Sequence, residues 1–164
     1  MSKDNLGGIF AILKEIADEL GWNYSHGNMT EKSFKAVNVY PLQHVTINNI
    51  TVQEQIATYS VNIIIADLVN FLKTENENLN LVTLYSEIGY TENTNYAHVL
   101  QELYVLFNLK VREKRLQYAE DVNIVYPLTF NPFIDAEADV LAGYTITLTI
   151  EGKAPTVIDC YNEV

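Results

Sequence analysis

The acidic residues Asp135, Glu137 and Asp139 are the side chains whose types and spacing come closest to a reactive centre. On a strand, side chains alternate between faces, so all three carboxylates would share one face and could bind a divalent cation. On a turn, they would be solvated acids between two strands. The two intervening alanines supply no apolar floor, so the pattern favours the solvated connection and leaves a small metal-dependent enzyme as a minor hypothesis.

Histidine and cysteine add no catalytic pattern. His26, His44 and His98 are predicted in a loop, beside a strand and on a helix, without the spacing of an HExxH or paired-ligand metal site. The single cysteine, Cys160, has no candidate catalytic frame and cannot form an internal disulfide. The sequence contains no P-loop, GxGxxG or GxSxG motif. We therefore expect a protein that is not an enzyme and that holds neither cofactor nor metal.

A run of basic residues is the other feature that could bind a partner. Lys110, Arg112, Lys114 and Arg115 supply four of the ten basic residues within six positions, at the end of a predicted helix. They could contact nucleic acid or an acidic surface, or they could complement the helix dipole and nearby acids. The net charge of −11 argues against non-specific nucleic-acid binding, which needs lysine and arginine to displace counterions.

Length and composition indicate one domain spanning residues 1–164. The chain is 48% hydrophobic and 19% charged, which is close to globular averages and excludes a disordered or collagen-like protein. No window of 18 apolar residues predicts a membrane span, and the first residues lack a signal peptide's basic start and apolar run. We expect an acidic protein that folds inside the cell and has no membrane partner.

Two helices are predicted from the spacing of apolar residues. Residues 6–20 carry an apolar stripe at three- and four-residue spacing, and Gly21 supplies a C-terminal stop. The second helix, about 95–115, begins near Thr94 or Asn95 and is apolar around much of its circumference. It is therefore expected to be a central packed helix. Residues 73–95 include a polar, Asn- and Glu-rich segment that the sequence leaves unassigned.

The remaining patterns predict strands. Residues 34–40, 57–66, 122–126, 129–134 and 144–150 show alternating or continuous apolar residues. Residues 22–28 are predicted as a lead into a polar loop. The order helix, strands, helix, strands predicts an α+β domain with a mostly antiparallel sheet flanked by the N-terminal and central helices.

A near palindrome, Val45 to Val52, predicts a hairpin that turns at Asn48-Asn49. This fold-back would pair Ile47 with Ile50 and would form a protruding arm around residues 44–56. A polar neck separates its apolar tip from the core-facing strand. The pattern therefore predicts that Ile47, Ile50 and Val52 are buried against another subunit.

The order of elements resembles that of tail-terminator and tail-completion proteins at the neck of tailed bacteriophages. Two short motifs add to the likeness: Pro-Phe-x-Asp at 132–135, and Leu-Ala-Gly before an aromatic-rich strand at 141–150. They are similar to segments in phages of gut Bacteroidales, including the crAss-like group. The resemblance implies a structural virion protein that forms a ring of six or twelve copies between head and tail. It implies portal, connector or tail proteins as neighbours, and a location in the virion neck and, during assembly, the host cytoplasm.

The physical features agree with such a ring. An acidic lumen would let DNA slide through without specific binding, and a protruding hairpin would give head-to-tail contacts that close into a ring. The basic helix end, Lys110 to Arg115, could then meet the acidic closing sheet of a neighbour. The alternative is a soluble phage assembly adaptor or chaperone that binds one partner through the same arm.

Overall fold

The computed structural model describes residues 5–27, 40–68, 94–135 and 141–154. Within them the chain forms two helices and five strands. The helices are α1 (Leu6–Leu20) and α2 (Thr94–Gln117), and the strands are β1 (Asn23–His26), β2 (Leu42–Gln53), β3 (Ile56–Leu68), β4 (Val122–Asp135) and β5 (Leu141–Lys153).

Helix α1 is confirmed with the predicted bounds, and local chemistry defines both ends. The side chain of Asn5 accepts a hydrogen bond from Gly8 N–H at 2.7 Å and so caps the N-terminus. Gly21 adopts a left-handed conformation with φ 72°, which ends the helix. The apolar stripe faces the sheet and is fully buried at Ile9, Ile12, Leu13 and Ile16. Burial of this stripe holds α1 on the sheet.

Helix α2 is also confirmed, but it is buried along one face only. Leu103, Phe107 and Val111 are buried against the sheet, whereas Leu109 and Leu116 are 50% and 81% exposed. The helix contacts β3, β4, β5 and α1. Both helices therefore lie on the same face of one sheet, which confirms the predicted central helix, although its apolar residues on the other side stay exposed.

The five strands form one sheet in the order β1-β2-β3-β5-β4. Only β1 and β2 are parallel, and every other neighbouring pair is antiparallel. This confirms the predicted α+β class and the mostly antiparallel sheet. Close packing within the sheet requires Gly143, since a Cβ there would lie 2.1 Å from the carbonyl oxygen of Ile65.

The predicted hairpin at Asn48-Asn49 is wrong. Strand β2 runs straight through these residues, and a shift in register between Ile47 and Asn49 accommodates Asn48 as an extra residue. The side chain of Asn48 accepts a hydrogen bond from Asn62 at 2.9 Å. The chain instead turns at Glu54, which has φ 49°. The long ladder with β3 offers more backbone hydrogen bonds than the short fold-back would, and it buries Val45.

The protruding arm is not confirmed. Strand β3 pairs with β5 along its whole length, down to Ile56 opposite Lys153. The β2–β3 turn is thus the end of a shared sheet. Residues 23–26, predicted as the approach to a loop, form β1 because Asn23 N–H donates to the carbonyl of Pro41 at 2.8 Å.

Several predictions fall outside the described residues. These are the strand at 34–40 except for Tyr40, the unassigned segment at 73–95 except for its last two residues, Glu137, Asp139 and Cys160.

Candidate functional site

One edge of β2 has no partner strand over much of its length among the described residues. Strand β1 is short and pairs only with Leu42–Val45. Along Thr46–Gln53, no described strand pairs with β2 on the side away from β3. We refer to residues Thr46–Gln53 as the open edge.

Backbone hydrogen bonds show which residues direct polar groups to this edge. Gly27 N–H donates to the carbonyl of Val45 at 3.0 Å, so the backbone N–H and C=O groups of Val45 point away from β3. Because the direction of the backbone N–H and C=O groups alternates along a strand, those of Ile47 also point to the open edge.

The same orientation holds beyond the shift in register. Ala154 N–H donates to the carbonyl of Gln55 at 2.8 Å, so the backbone groups of Gln55 point to β5. Every second residue after it in β3, beginning with Ala57 and Tyr59, has its backbone groups in the same direction. Tyr59 is one of them, and its partner Ile50 therefore faces the open edge. Val52, two residues further along, faces it as well. The open edge thus presents backbone N–H and C=O groups at Ile47, Ile50 and Val52.

The side chains of these three residues are not equivalent. Ile50 and Val52 are 46% and 61% exposed, although their cross-strand partners Tyr59 and Ala57 are buried. Ile47 is half-buried and packs against the core of its own chain. The sequence predicted all three as subunit contacts, but the structure leaves only Ile50 and Val52 accessible.

The open edge also lacks the residues that usually prevent strand pairing. Residues 46–53 contain no proline and no charged side chain. The opposite edge of the sheet, β4, carries Pro127 and Pro132 and a shift in register between Val125 and Thr129. Prolines and irregularities of this kind block edge-to-edge association. They protect β4 over residues 126–132, and the open edge of β2 has no such protection.

The basic end of α2 is arranged differently. The side chain of Lys114 is 3% exposed and lies 2.8 Å from Glu19 and 3.3 Å from Glu15, both on α1. Lys110 lies 3.5 Å from Glu19 and 3.0 Å from Glu113. Two of the four predicted interface cations are therefore paired within their own chain. We name the ion-paired residues Lys110, Lys114, Glu15, Glu19 and Glu113 the Lys114 cluster.

Electrostatics bind the Lys114 cluster together. Burial alone would lower the pKa of Lys114, but hydrogen bonds and charge attraction from Glu19 and Glu15 outweigh burial and raise it. The hydrogen bond from Lys114 lowers the pKa of Glu19 below its usual range. The hydrogen bond to Glu15 raises the pKa of Tyr118. The cluster connects α1 to α2, and within it Lys114 and Glu19 each favour the charged form of the other.

The other two cations stay accessible. Arg112 is exposed and forms no ion pair with the described residues. The guanidinium of Arg115 lies over the ring of Tyr126, 4.7 Å from its centre. Arg112 and Arg115 are thus the exposed members of the predicted set, whereas Lys110 is partly exposed and Lys114 is buried.

Ser25 and His44 form a side-chain pair that no local sequence pattern predicts. His44 Nε2 donates to the carbonyl of Gly27 at 2.7 Å, which leaves Nδ1 to accept from the hydroxyl of Ser25 at 2.7 Å. Ser25 and His44 lie opposite each other on the parallel strands β1 and β2. A catalytic base usually has an acidic partner, whereas here a backbone carbonyl orients the ring. The pair therefore serves to fasten β1 to β2, and only the pairing of these strands could have revealed it.

The three histidines, for which the sequence predicts no metal site, lie in different surroundings. His26 contacts the rings of Phe10 and Tyr24, and His98 lies 3.7 Å from Glu102. The described residues contain no group of three or more His, Cys, Asp or Glu side chains placed to hold a metal ion. Asp135 ends β4, and the other two carboxylates of its motif lie outside the described ranges, so that prediction stays untested.

Comparison with known proteins gives no match to a protein family or to a curated protein. Of the helices described, neither is both long and apolar enough to cross a membrane.

Proposed function

We propose that this chain is a structural protein of a tailed-bacteriophage particle, which assembles into a homo-oligomeric ring at the junction of head and tail. The ring joins portal or head proteins to the tail and leaves a channel for DNA. In this proposal the chain performs no catalysis. The observation that carries the proposal is the open edge of β2, flanked by exposed Ile50 and Val52.

The sheet architecture supports a head-to-tail assembly. The open edge and β4 are opposite borders of one sheet, so a copy can use one border for each neighbour. A heterologous contact of this kind closes into a ring when the rotation between copies allows it. A self-complementary surface would stop at a dimer.

The charge distribution supports a channel that does not retain DNA. The net charge is −11, and the Lys114 cluster neutralises two of the cations that could have contacted phosphate. A surface with few accessible cations releases few counterions and so binds DNA weakly. DNA would then pass the ring without specific contacts.

The test compares the wild-type chain with a variant carrying Ile50→Ser and Val52→Ser. We expect the wild type to form rings by mass photometry and electron microscopy, and the variant to remain a folded monomer. Ile134→Ser is the matched control, because Ile134 is 51% exposed and lies on β4 near the other end of the sheet. Rings that persist in the double variant would contradict the proposal.

The location needs its own measurement. We expect the protein in purified virions of its source phage, at six or twelve copies per particle by quantitative mass spectrometry. An assembly adaptor or chaperone that uses the same edge would be present in infected cells and absent from the particles.

A further inference from the structure

We infer that the open edge of β2 pairs with residues Val122–Val125 of β4 in a second copy of this chain, so that one antiparallel sheet continues from subunit to subunit. This inference rests on the proposed ring and names the contact that would build it. Four observations support it: strand direction, register, hydrogen-bond alternation and the side chains at the two borders.

Strand direction is the first. From β2 to β3, β5 and β4, each neighbour is antiparallel to the last, so β4 runs opposite to β2. A second copy related by rotation about an axis along the strands places its β4 beside β2. The two strands then meet as an antiparallel pair, in which Val122 N–H keeps its bond of 2.9 Å to the carbonyl of Tyr118 and Ile124 supplies the free backbone groups.

Register is the second. The cross-strand pairs define rows that run across the whole sheet at the end where β2 is open. Three such rows are Ile50–Tyr59–Ile150–Ile124, Thr51–Thr58–Glu151–Asn123 and Val52–Ala57–Gly152–Val122. When the rows continue without a shift, Ile50 meets Ile124 of the second copy and Thr51 meets its Asn123. The stretch of β4 that lies at this level, residues 122–125, precedes Pro127 and contains neither proline nor charge.

Hydrogen-bond alternation is the third. Along one row of an antiparallel sheet, hydrogen-bonded and non-hydrogen-bonded pairs alternate. The backbone N–H and C=O groups of Ile50 point to the open edge. In the row Ile50–Tyr59–Ile150–Ile124, only the middle pair is hydrogen-bonded, so the backbone groups of Ile124 point to the outer side of β4. Ile50 and Ile124 of the second copy would thus form a hydrogen-bonded pair. The next row, Thr51 with Asn123 of the second copy, would be a non-hydrogen-bonded pair.

The side chains at the two borders are the fourth. Val122 and Ile124 are 3% and 1% exposed, whereas Ile50 and Val52 are about half-exposed on the same helix-bearing face. Rotation about the strand direction keeps the helices of both copies on one side. The pairing would therefore place Ile50 and Val52 beside apolar residues and remove their exposed surface from water.

The near palindrome from Val45 to Val52 suggests a competing arrangement, in which two β2 edges pair about a twofold axis. Its register would place Val52 of the second copy opposite Val45. That position is taken, because His26 pairs with Val45 and Gly27 donates to the Val45 carbonyl. Strand β1 thus obstructs the symmetric pairing, and β4 is the better partner.

Disulfide trapping tests the register. In a Cys160→Ser background, subunits carrying Thr51→Cys are mixed with subunits carrying Asn123→Cys and are mildly oxidised. Both positions are exposed, and Cα atoms of a non-hydrogen-bonded pair lie about 4.5 Å apart, within the range that a disulfide spans. We expect covalent dimers from the mixture and a ladder of covalent oligomers from the chain that carries both substitutions.

The controls separate this register from other contacts. Asn131 is exposed on the same face of β4 but lies in the row of Thr145, so Thr51→Cys mixed with Asn131→Cys should cross-link about tenfold less. Dimers from Thr51→Cys mixed with Thr46→Cys, two positions that the twofold arrangement would place opposite each other, would show that two β2 edges pair, and would overturn the inference. Rings seen by mass photometry without the 51–123 cross-link would overturn it while leaving the proposed ring intact. Absence of any oligomer would contradict the proposed function itself.

Discussion

The basic end of α2 and the open edge of β2 were both predicted as subunit contacts, and they differ in what their own chain supplies. The carboxylates of Glu15 and Glu19 reach Lys114 from α1, so the cluster is satisfied within the subunit. The open edge directs backbone groups outward along eight residues and finds no described strand beside it. A charged residue can be neutralised by one distant side chain. A strand edge needs another whole strand.

This difference bears on how assembly contacts are recognised. Glu19 lies 95 residues before Lys114, so no local spacing connects them. Exposed Ile50 and Val52, by contrast, follow from their position beyond the reach of β1 and α1. A strand edge that no described strand covers therefore marks a contact surface more securely than a run of like charges does.

Removing the ammonium at the centre of the cluster should have the largest effect on stability. We expect Lys114→Met to lower the free energy of unfolding by about 2 kcal/mol, less than for a fully buried pair because Glu15 and Glu19 are partly exposed. Arg112→Met on the same helix is the matched control, and it should change stability by less than about 0.5 kcal/mol. Urea unfolding followed by circular dichroism measures both. Equal effects would mean that the cluster contributes no more than an exposed charge.

The next largest effect is a difference in stability between substitutions at Ile47 and at Val52, the two ends of the apolar set on β2. We expect Ile47→Ser to lower the free energy of unfolding by about 1.5 kcal/mol, because Ile47 is half-buried in its own core. Val52→Ser should cost less than about 0.5 kcal/mol in the dilute monomer, since its side chain is 61% exposed. Val52→Ser should nevertheless weaken assembly at higher concentration. If the two variants destabilise the monomer equally, Val52 is also a core residue and the open edge is shorter than proposed.

Local sequence patterns predicted correctly those helices and strands whose formation depends on their own residues. The stripe of α1, its stop at Gly21 and the alternation of β5 are periodic signals that packing preserved. The order of these elements was enough for the α+β class. The path of β2 was not predictable, because the Asn48-Asn49 pair fits a turn and a bulge equally well. Only the pairing with β3 decides between them.

The candidate site was predictable in part. Ile50 and Val52 were predicted as subunit contacts on a hairpin that turns at Asn48-Asn49, whereas they are exposed on a strand that continues to Gln53. Strand β1 escaped because four residues, Asn23–His26, carry no alternating pattern, yet its length decides where the open edge begins. Lys114 appeared to be an outward cation because its partners lie on a different helix. Long-range pairing controls all three outcomes.

The pH dependence of the cluster should give the smallest effect and identify its cause. Because the pKa of Glu19 is lower in the folded chain than its usual 4.5, the folded state favours the ionised carboxylate. Its stabilising contribution is then present above about pH 4.5 and is lost as pH falls through the folded pKa. We expect Glu19→Gln to lower the urea midpoint at pH 7 and to match the wild type once the pH lies below the folded pKa of Glu19. In a Lys114→Met background the pH-dependent difference should shrink, since the hydrogen bond from Lys114 is its main cause and Lys110 acts more weakly. An undiminished difference would assign the stabilisation to Lys110, which lies 3.5 Å from Glu19, and would contradict the central role of Lys114.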